Sequence, residues 1–250
     1  MSKRTLLKQS ASLCVVAIVV LALVCLILPG AVFGQGATSA SAIKIGIIGS
    51  GNLGGTVGTL WVKSGHPVLF SSRHPEQLKK LVDGLGPLAR AGTVREAFAF
   101  GDIIFIAVPY GAYPQIGKDY AQELKGKIVI DAGNAVPGRD GEITKEANEK
   151  GIGLTSAKYL AGARIVRAFN TLNYRRLPII ANRPEGRIGI PMAGDDQEAL
   201  AIASSLVRDA GFDPVIIGPL ERAKDFARGA PLYGQEITAQ EMQERAKALR

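Results

Sequence analysis

Three closely spaced glycines after an apolar run are the residues of this sequence that point most directly to chemistry. Gly49, Gly51 and Gly54 follow Ile43–Ile48 and precede a stretch with helical periodicity. In such a GxGxxG turn the first glycine allows a tight bend, the second lets the backbone approach a pyrophosphate, and the third lets the helix pack closely on the strand. An isolated GxGxxG is often a flexible loop. Between a strand and a helix, whose free N–H groups face the phosphates, it predicts a dinucleotide-binding site.

The end of the second predicted strand indicates which dinucleotide is bound. A site for NAD carries an acidic residue there, about 20 residues after the glycines, to bond the ribose 2′-hydroxyl. This sequence instead reads Phe70-Ser71-Ser72-Arg73-His74. A carboxylate would repel a 2′-phosphate, whereas the Ser72 hydroxyl and the Arg73 guanidinium would bind one. NADP(H) is therefore the predicted cofactor; an ordinary solvated loop is the alternative.

No general acid or base stands out elsewhere, and we predict no catalytic side chain. Lys158 and Tyr159 are the candidates for a proton donor if the substrate is a carbonyl, although a lysine on a helix is usually solvated. Asp195 and Asp196 precede a predicted helix, so we expect them to cap its N-terminus rather than to form a catalytic pair. Hydride transfer between stacked rings needs orientation more than proton transfer, and the cofactors supply the chemistry.

Short apolar runs alternate with longer amphipathic segments, a pattern typical of βαβ units with a largely parallel sheet. The predicted strands are Ile43–Ile48, Val68–Ser71, Ile103–Val108, Lys127–Asp131, Arg164–Ala168, Ile188–Ala193 and Pro214–Ile217. The predicted helices are Asn52–Ser64, Pro75–Leu81, Val94–Ala99, Tyr113–Leu124, Thr144–Lys150 and Gln197–Ala210, with Gly211 as a left-handed cap. We therefore predict an α/β, doubly wound Rossmann fold over residues 43–219 with a mostly parallel sheet. A helical C-terminal tail follows over residues 220–250, with helices at Glu221–Arg228 and Thr238–Leu249.

Residues 1–34 have the pattern of an export signal peptide. Lys3, Arg4 and Lys8 form a basic start, the uncharged stretch Leu13–Leu28 follows, and a helix-breaking Pro-Gly pair precedes a small residue suited to cleavage before Gln35. An uncleaved N-terminal anchor is the alternative, because the apolar stretch is near the lower limit for spanning a bilayer. The positive-inside rule leaves the domain outside the cytoplasm in both cases. We expect an exported, periplasmic protein, or one anchored to the outer face of the cytoplasmic membrane.

The remaining composition limits which kinds of functional site the domain can contain. Residues 35–42 form a linker of small residues. The chain start also resembles a twin-arginine signal, so the general secretion route and the twin-arginine route both remain open. Cys14 and Cys25 lie inside the signal, which excludes disulfides and thiol chemistry in the mature domain. His66 and His74 are expected at the surface and form a poor metal pair. The net charge of +8, of which the signal carries three, favours anionic ligands weakly and does not indicate nucleic acid.

Several short motifs occur in an order that resembles a known family. They are Gly49-Ser50-Gly51-Asn52-Leu53-Gly54, Ser72-Arg73, Ala107-Val108-Pro109-Tyr110, Val166-Arg167-Ala168-Phe169-Asn170 and Ala193-Gly194-Asp195-Asp196. This order resembles the NADP oxidoreductases that depend on the deazaflavin coenzyme F420. It is also similar to the nucleotide-binding domain of the six-transmembrane metalloreductases, which pass hydride from NADPH to a flavin. The resemblance covers nearly the whole chain after the signal.

The resemblance implies roles at matching positions. Ser50–Leu53 would hold the pyrophosphate, Val108 and Pro109 would pack along the cofactor, and Asn134 would lie near the nicotinamide ribose together with residues 168–170. Each assignment has an alternative without a binding role. Val108 and Pro109 would then only end a strand, and Asn134 would only form a turn. The full predicted set of cofactor-binding residues is Gly49, Ser50, Gly51, Asn52, Leu53, Ser72, Arg73, Val108, Pro109, Asn134, Ala168 and Asn170.

The resemblance predicts an NADP-dependent oxidoreductase that transfers a hydride between NADP(H) and a flavin or deazaflavin acceptor such as coenzyme F420. One alternative is an NADPH-dependent reductase of a small carbonyl or imine, and another is an exported NADP-binding module without turnover. The expected partner is a small-molecule acceptor; no nucleic acid is expected, and membrane contact is expected only if the signal is uncleaved. A homo-oligomer is compatible with the sequence. The deazaflavin-dependent relatives are cytoplasmic, so an export signal leaves the acceptor open.

Overall fold

The structure, a computed structural model, describes residues 42–249, which lie in one compact unit. The predicted signal peptide, its anchor alternative and the predicted linker up to residue 41 lie outside the described residues. Between residues 42 and 249, no helix is long and apolar enough to cross a bilayer.

Eight strands form one sheet across the described part of the chain. They are β1 Ile45–Ile48, β2 Val68–Ser71, β3 Ala89–Gly92, β4 Ile103–Ile106, β5 Ile128–Asp131, β6 Arg164–Arg167, β7 Gly189–Gly194 and β8 Asp213–Gly218. Their order is β3-β2-β1-β4-β5-β6-β7-β8. Neighbours pair in parallel except β6 and β7, which confirms the mostly parallel sheet. The strand order reverses between β1 and β4, and such a switch point is where open α/β sheets bind their ligands.

Helices cover both faces of this sheet. The α-helices are α1 Asn52–Lys63, α2 Lys79–Asp83, α3 Val94–Phe100, α4 Tyr113–Asp119, α5 Ala121–Leu124, α6 Glu142–Lys150, α7 Ile152–Tyr159, α8 Leu177–Ile180, α9 Gln197–Asp209 and α10 Ala239–Lys247. Short 3-10 helices lie at Pro75–Leu78, Tyr110–Ala112 and Leu220–Phe226. On one face α1 and α9 bury Trp61 and Leu206, and on the other α3 and α4 bury Phe98 and Tyr113. The predicted doubly wound fold is therefore confirmed.

Several elements differ from the sequence prediction. Helix α8 was not predicted, the predicted helix Tyr113–Leu124 is divided into α4 and α5, and the predicted helix Pro75–Leu81 is a 3-10 helix followed by α2. Strand β3 and helix α7 were not predicted, and β3 shows why: it is a four-residue edge strand with two exposed residues, so it carries no apolar alternation. The predicted helix Glu221–Arg228 is a 3-10 helix. Its buried residues Leu220, Ala223 and Phe226 are spaced by three, which matches the three residues per turn of that helix.

The predicted C-terminal tail packs on the sheet. Thr238 bridges to Ile188 just before β7 and caps α10 together with Glu241. Met242 of α10 is fully buried. Gly211 after α9 has φ +94°, which confirms the predicted left-handed cap.

Candidate dinucleotide-binding site

The glycine turn bends directly from β1 into α1. Gly49 has φ +93°, a conformation that residues with a Cβ rarely adopt. A Cβ on Gly54 would lie 2.1 Å from the Gly49 carbonyl oxygen, so the helix needs a glycine there to pack on the turn. A Cβ on Gly51, in contrast, would have no atom within 4 Å. Gly51 therefore borders open space, which is where a pyrophosphate would approach the backbone.

The start of α1 is suited to bind an anion. Its N-cap residue, Gly51, offers no side-chain hydrogen bond, and its first turn, which begins with Asn52 and Leu53, has no acidic residue. The first N–H groups of the helix are therefore left for a ligand, and the helix dipole favours negative charge there. The Ser50 Oγ is buried without a hydrogen-bond partner among the described residues. A phosphate oxygen would satisfy it, so the residues present fit a dinucleotide pyrophosphate.

The predicted 2′-phosphate ligands lie beside the glycine turn. The Ser50 N–H donates to the Ser71 carbonyl at 3.0 Å, and Ser72 and Arg73 follow at once. The Ser72 Oγ accepts the His74 N–H at 3.1 Å, so its own proton remains free to donate. Arg73 is exposed and has no ion pair with any residue between 42 and 249. Its guanidinium is therefore available to a phosphate.

Val108 closes the other side of the turn. The Ala107 N–H donates to the Ile48 carbonyl at 2.9 Å, which carries the β1–β4 pairing up to the switch point. A Cβ on Gly49 would lie 2.5 Å from the Val108 Cγ1, so this side chain packs directly on the turn. Pro109 is exposed and caps the 3-10 helix that follows. Both residues thus border the crevice between β1 and β4.

Asn134 and Asn170 form a pair of side-chain amides beyond the ends of β5 and β6. The Asn134 Nδ2 donates to the Asn170 carbonyl at 2.7 Å, and the Asn170 Nδ2 donates to the Asn134 Oδ1 at 3.3 Å. The Asn170 Nδ2 also donates to the Phe226 carbonyl at 2.9 Å. Asn170 is 2% exposed, and its Oδ1 has no donor among the described residues. Ala168, predicted to lie near the same ribose, is fully buried.

Phe169 sets the direction in which the chain leaves β6. Its φ is +61°, a left-handed conformation that costs about 1–2 kcal/mol for a residue with a side chain. Its buried ring packs edge-on against Trp61, Phe105 and Phe212, with centroid distances of 5.7, 6.0 and 6.3 Å. Burial of the ring in this aromatic cluster offsets the strain. The cluster thereby holds Asn170, the next residue, in place.

A buried ion pair, which the sequence analysis missed, supports the loop on the Asn134 side. The Arg167 Nη1 donates to the Asp131 Oδ2 at 2.7 Å, and neither side chain is exposed. The Arg167 Nη2 donates to the Gly133 carbonyl at 2.6 Å, while the Gly133 N–H and the Tyr113 hydroxyl donate to the Asp131 Oδ1. Burial raises the pKa of Tyr113 well above its ordinary value, and the charge of Asp131 raises it further. The network fixes Gly133 and so positions Asn134.

Lys158 and Tyr159 lie away from this site. They lie at the C-terminal end of α7. The N-terminal end of this helix lies near the carboxyl end of β4, because the carbonyl of its first residue, Ile152, accepts a hydrogen bond of 2.9 Å from the Tyr110 hydroxyl. The other end of α7 therefore lies toward the amino ends of the strands. Lys158 and Tyr159 donate to Glu146 at 2.5 and 2.7 Å. These hydrogen bonds lower the pKa of Glu146 to about 2, and the bond with Glu146 raises the pKa of Lys158.

Asp196 caps α9, as predicted, whereas Asp195 binds a different segment. The Asp196 Oδ1 accepts the Ala199 N–H at 2.8 Å at the start of α9. Arg164, the first residue of β6, also binds Asp196 through two hydrogen bonds of 2.7 and 2.6 Å. The arginine and the backbone N–H lower the pKa of Asp196 to about 2. The Asp195 Oδ1 accepts the Leu220 N–H at 2.9 Å at the start of the last 3-10 helix.

His66 is not at the surface, contrary to the prediction. It is 5% exposed because its ring joins two elements: the Nδ1 accepts the Ile43 N–H at 3.1 Å, and the Nε2 lies 3.0 Å from the Asp209 Oδ2. His74 is exposed, as expected. Across residues 42–249, no three His, Cys, Asp or Glu side chains lie together in a way that could hold a metal ion.

Comparison with known proteins shows related sequences. Residues 44–135 match the family model described as "NADP oxidoreductase coenzyme F420-dependent". Metalloreductase STEAP3 of Rattus norvegicus is 31% identical over 189 residues, which cover 74% of this chain and 36% of that protein. The chain spans about a third of the length of the curated relatives that it matches.

Solved structures show the same architecture. A hypothetical protein, SMa0349, from Sinorhizobium meliloti superposes with a TM-score of 0.66 at 25% identity, covering 79% of this chain and 95% of that one. A candidate F420-dependent NADP reductase from Arthrobacter sp. FB24 superposes with a TM-score of 0.60 at 21% identity, covering 73% and 88% of the two chains. At that identity the second similarity shows the fold alone.

Fold, glycine turn and comparisons together define a Rossmann-type protein of the NADP-dependent oxidoreductase class. Within that class, residues 44–135 resemble the coenzyme F420-dependent NADP oxidoreductases, whose family model they match. The resemblance predicted from the motifs, and NADP(H) as the cofactor of this class, are therefore confirmed.

Proposed function

We propose that this chain binds NADPH and delivers its hydride to a flavin or deazaflavin acceptor. When bound, NADPH supplies the hydride. The backbone of Ser50–Leu53 holds the pyrophosphate, and Ser72 with Arg73 holds the 2′-phosphate. Val108 packs along the cofactor, and the Asn134–Asn170 amide pair binds its nicotinamide end. The chain's own contribution is to hold one ring in a fixed orientation for a second ring.

The observation that carries this proposal is that the proton donors indicated by the sequence, Lys158 and Tyr159, and the acid nearest to Asn134 in the chain are all bonded to other groups. Asp131, the nearest acid by sequence, is buried and bonded to Arg167 and Tyr113. Lys158 and Tyr159 are bonded to Glu146 at the other end of α7. Carbonyl and imine reduction needs a proton as well as a hydride, and a positioned donor typically contributes a factor of about a hundred to ten thousand. With these groups engaged elsewhere, the arrangement at the amide pair suits an acceptor ring.

The experiment is NADPH oxidation with a panel of flavins and deazaflavins against small carbonyls and imines. We expect turnover with a flavin-type ring. Lys158→Ala and Tyr159→Phe should keep most of the rate, because neither residue lies at the amide pair. Gly51→Val is the inactive control, since it removes the space for the pyrophosphate.

Three results would contradict the proposal. A saturable carbonyl or imine substrate would make the chain a reductase of such compounds. The same conclusion would follow from a hundredfold loss of rate in Lys158→Ala with NADPH affinity intact. If the chain binds NADPH but does not oxidise it with any acceptor, the chain is an NADP-binding module without turnover.

We also propose that the domain works outside the cytoplasm. The proposal rests on residues 1–34, whose basic start and apolar stretch match an export signal. The twin-arginine route carries folded proteins, so it would deliver the domain with its cofactor already bound.

A further inference from the structure

A cleft opens at residues that directly follow Asn134 and Phe226 in the chain. Its volume is about 370 Å³, and it lies between the α6–α7 corner and the segment around the last 3-10 helix. Ala135 and Ala227 line it. They directly follow Asn134 and Phe226, which are joined through Asn170 by hydrogen bonds. Two of the lining residues are therefore covalently joined to members of the network around the amide pair.

The cleft has rigid, partly apolar walls. A Cβ on Gly153 of α7 would lie 2.2 Å from the Leu220 carbonyl oxygen, so helix and 3-10 segment are in direct backbone contact. Leu154, which is 47% exposed, presents an apolar side chain at the cleft. The alanines on the lining, including Ala147 and Ala230, leave room for a ligand.

Positive charge without a partner lines this cleft. Lys224 and Arg228 have no acidic atom within 4 Å among the described residues, whereas their neighbour Arg222 is paired with Asp225. Lys150 also lines the cleft and is bonded only to Glu146, at 3.2 Å, a carboxylate that Lys158 and Tyr159 already bind. The acidic lining residues are Glu149 and Glu221, so the cations are in excess by one.

We propose that this cleft binds the negatively charged side chain of the acceptor, a phosphate or carboxylate group carried by a flavin-type ring. The inference rests on the proposed function, because the ring is taken to lie at Asn134 and Asn170. Lys224 and Arg228 hold the anion, and Leu154 contacts the uncharged part of the chain. The site thus selects acceptors that carry an acidic tail over neutral rings of the same chemistry.

FMN and riboflavin test this directly, because they share one ring system and differ by a single phosphate. Binding of each to the full-length chain saturated with NADP+ is measured by titration calorimetry, and NADPH oxidation is followed with each as acceptor. We expect FMN to bind about three- to tenfold more tightly than riboflavin in low salt, with the difference shrinking as salt rises. The Lys224→Gln/Arg228→Gln double variant should lose the preference and keep its affinity for riboflavin. Lys118→Gln/Lys145→Gln removes two exposed lysines outside the cleft and should leave the preference intact.

Equal affinity of the natural chain for the two flavins, or no flavin binding, would overturn the inference. So would an equal loss of preference in the Lys118→Gln/Lys145→Gln control, which would indicate general attraction to a basic protein. If FMN binds with the expected dependence on Lys224 and Arg228 but NADPH is not oxidised, the cleft assignment stands and the proposed hydride transfer fails. If both flavins bind with equal affinity and oxidise NADPH with equal efficiency, the proposed hydride transfer stands and the cleft assignment fails.

Discussion

At the scale of single residues, we expect cofactor choice to depend on one exposed guanidinium. Arg73 follows the strand that pairs with β1, so it lies beside the pyrophosphate turn, and no acid among the described residues occupies it. A charge-assisted bond to a phosphate contributes about 1.5–3 kcal/mol. Arg73→Ala should therefore weaken NADPH about ten- to a hundredfold and leave NADH almost unchanged. Calorimetric titration of both cofactors measures this, with Lys118→Ala as the matched control. Equal losses for NADPH and NADH would remove Arg73 from the 2′-phosphate site.

Two glycines of the same turn should respond to substitution in opposite ways. Gly51 has φ −73° and open space around the position of a Cβ, so Gly51→Val should fold normally but fail to bind NADPH. Gly54 has no such space, so Gly54→Ala should lower the free energy of unfolding by about 1–3 kcal/mol. Thermal unfolding and NADPH titration of both variants separate these effects. Normal NADPH affinity in Gly51→Val would show that the pyrophosphate lies elsewhere.

At the scale of elements, the loops after β5 and β6 are held by groups that never reach the crevice. Removing one partner of a buried ion pair leaves the other charge uncompensated, at a cost of about 3–5 kcal/mol. Asp131→Asn should therefore destabilise the domain by that amount, whereas Tyr113→Phe, which removes one hydrogen bond, should cost about 1 kcal/mol. Urea unfolding of the two variants gives the comparison. An Asp131→Asn chain as stable as the natural one would mean that Arg167 does not depend on this carboxylate.

The same elements show what the sequence could and could not predict. The β1–α1 turn was predictable because its signals are local: an apolar run, three spaced glycines and a helical pattern. The ion pair of Asp131 and Arg167 joins residues 36 positions apart, and only the presence of charges at the ends of apolar strands hinted at it. The positive φ of Phe169 was not predictable either, because it depends on aromatic rings from three distant parts of the chain.

At the scale of the whole molecule, the sheet reverses once, at β7, and the predicted tail packs on the reversed part. Periodicity predicted that these strands exist. The direction in which they pair depends on contacts between distant segments, so the sequence pattern could not predict it. The predicted cofactor residues follow parallel strands whose carboxyl ends meet at one edge of the sheet, so their grouping in space could be predicted from the sequence.

Export is also a property of the whole chain. We expect the mature N-terminus near Gln35 and a soluble protein outside the cytoplasmic membrane, because a helix-breaking pair and a small residue follow the apolar stretch. Cell fractionation with N-terminal sequencing tests this. Full-length chain in the membrane fraction would establish the anchored alternative instead.

The aromatic cluster around Phe169 has a practical consequence. Trp61 is the only tryptophan of the chain, is fully buried, and lies 5.7 Å from the Phe169 ring. Phe169 is covalently joined to Asn170, so any adjustment of that amide must be accommodated next to the indole. The molecule therefore contains its own optical reporter. Its intrinsic emission can follow events at the Asn134–Asn170 amide pair without a label and without a competing tryptophan signal.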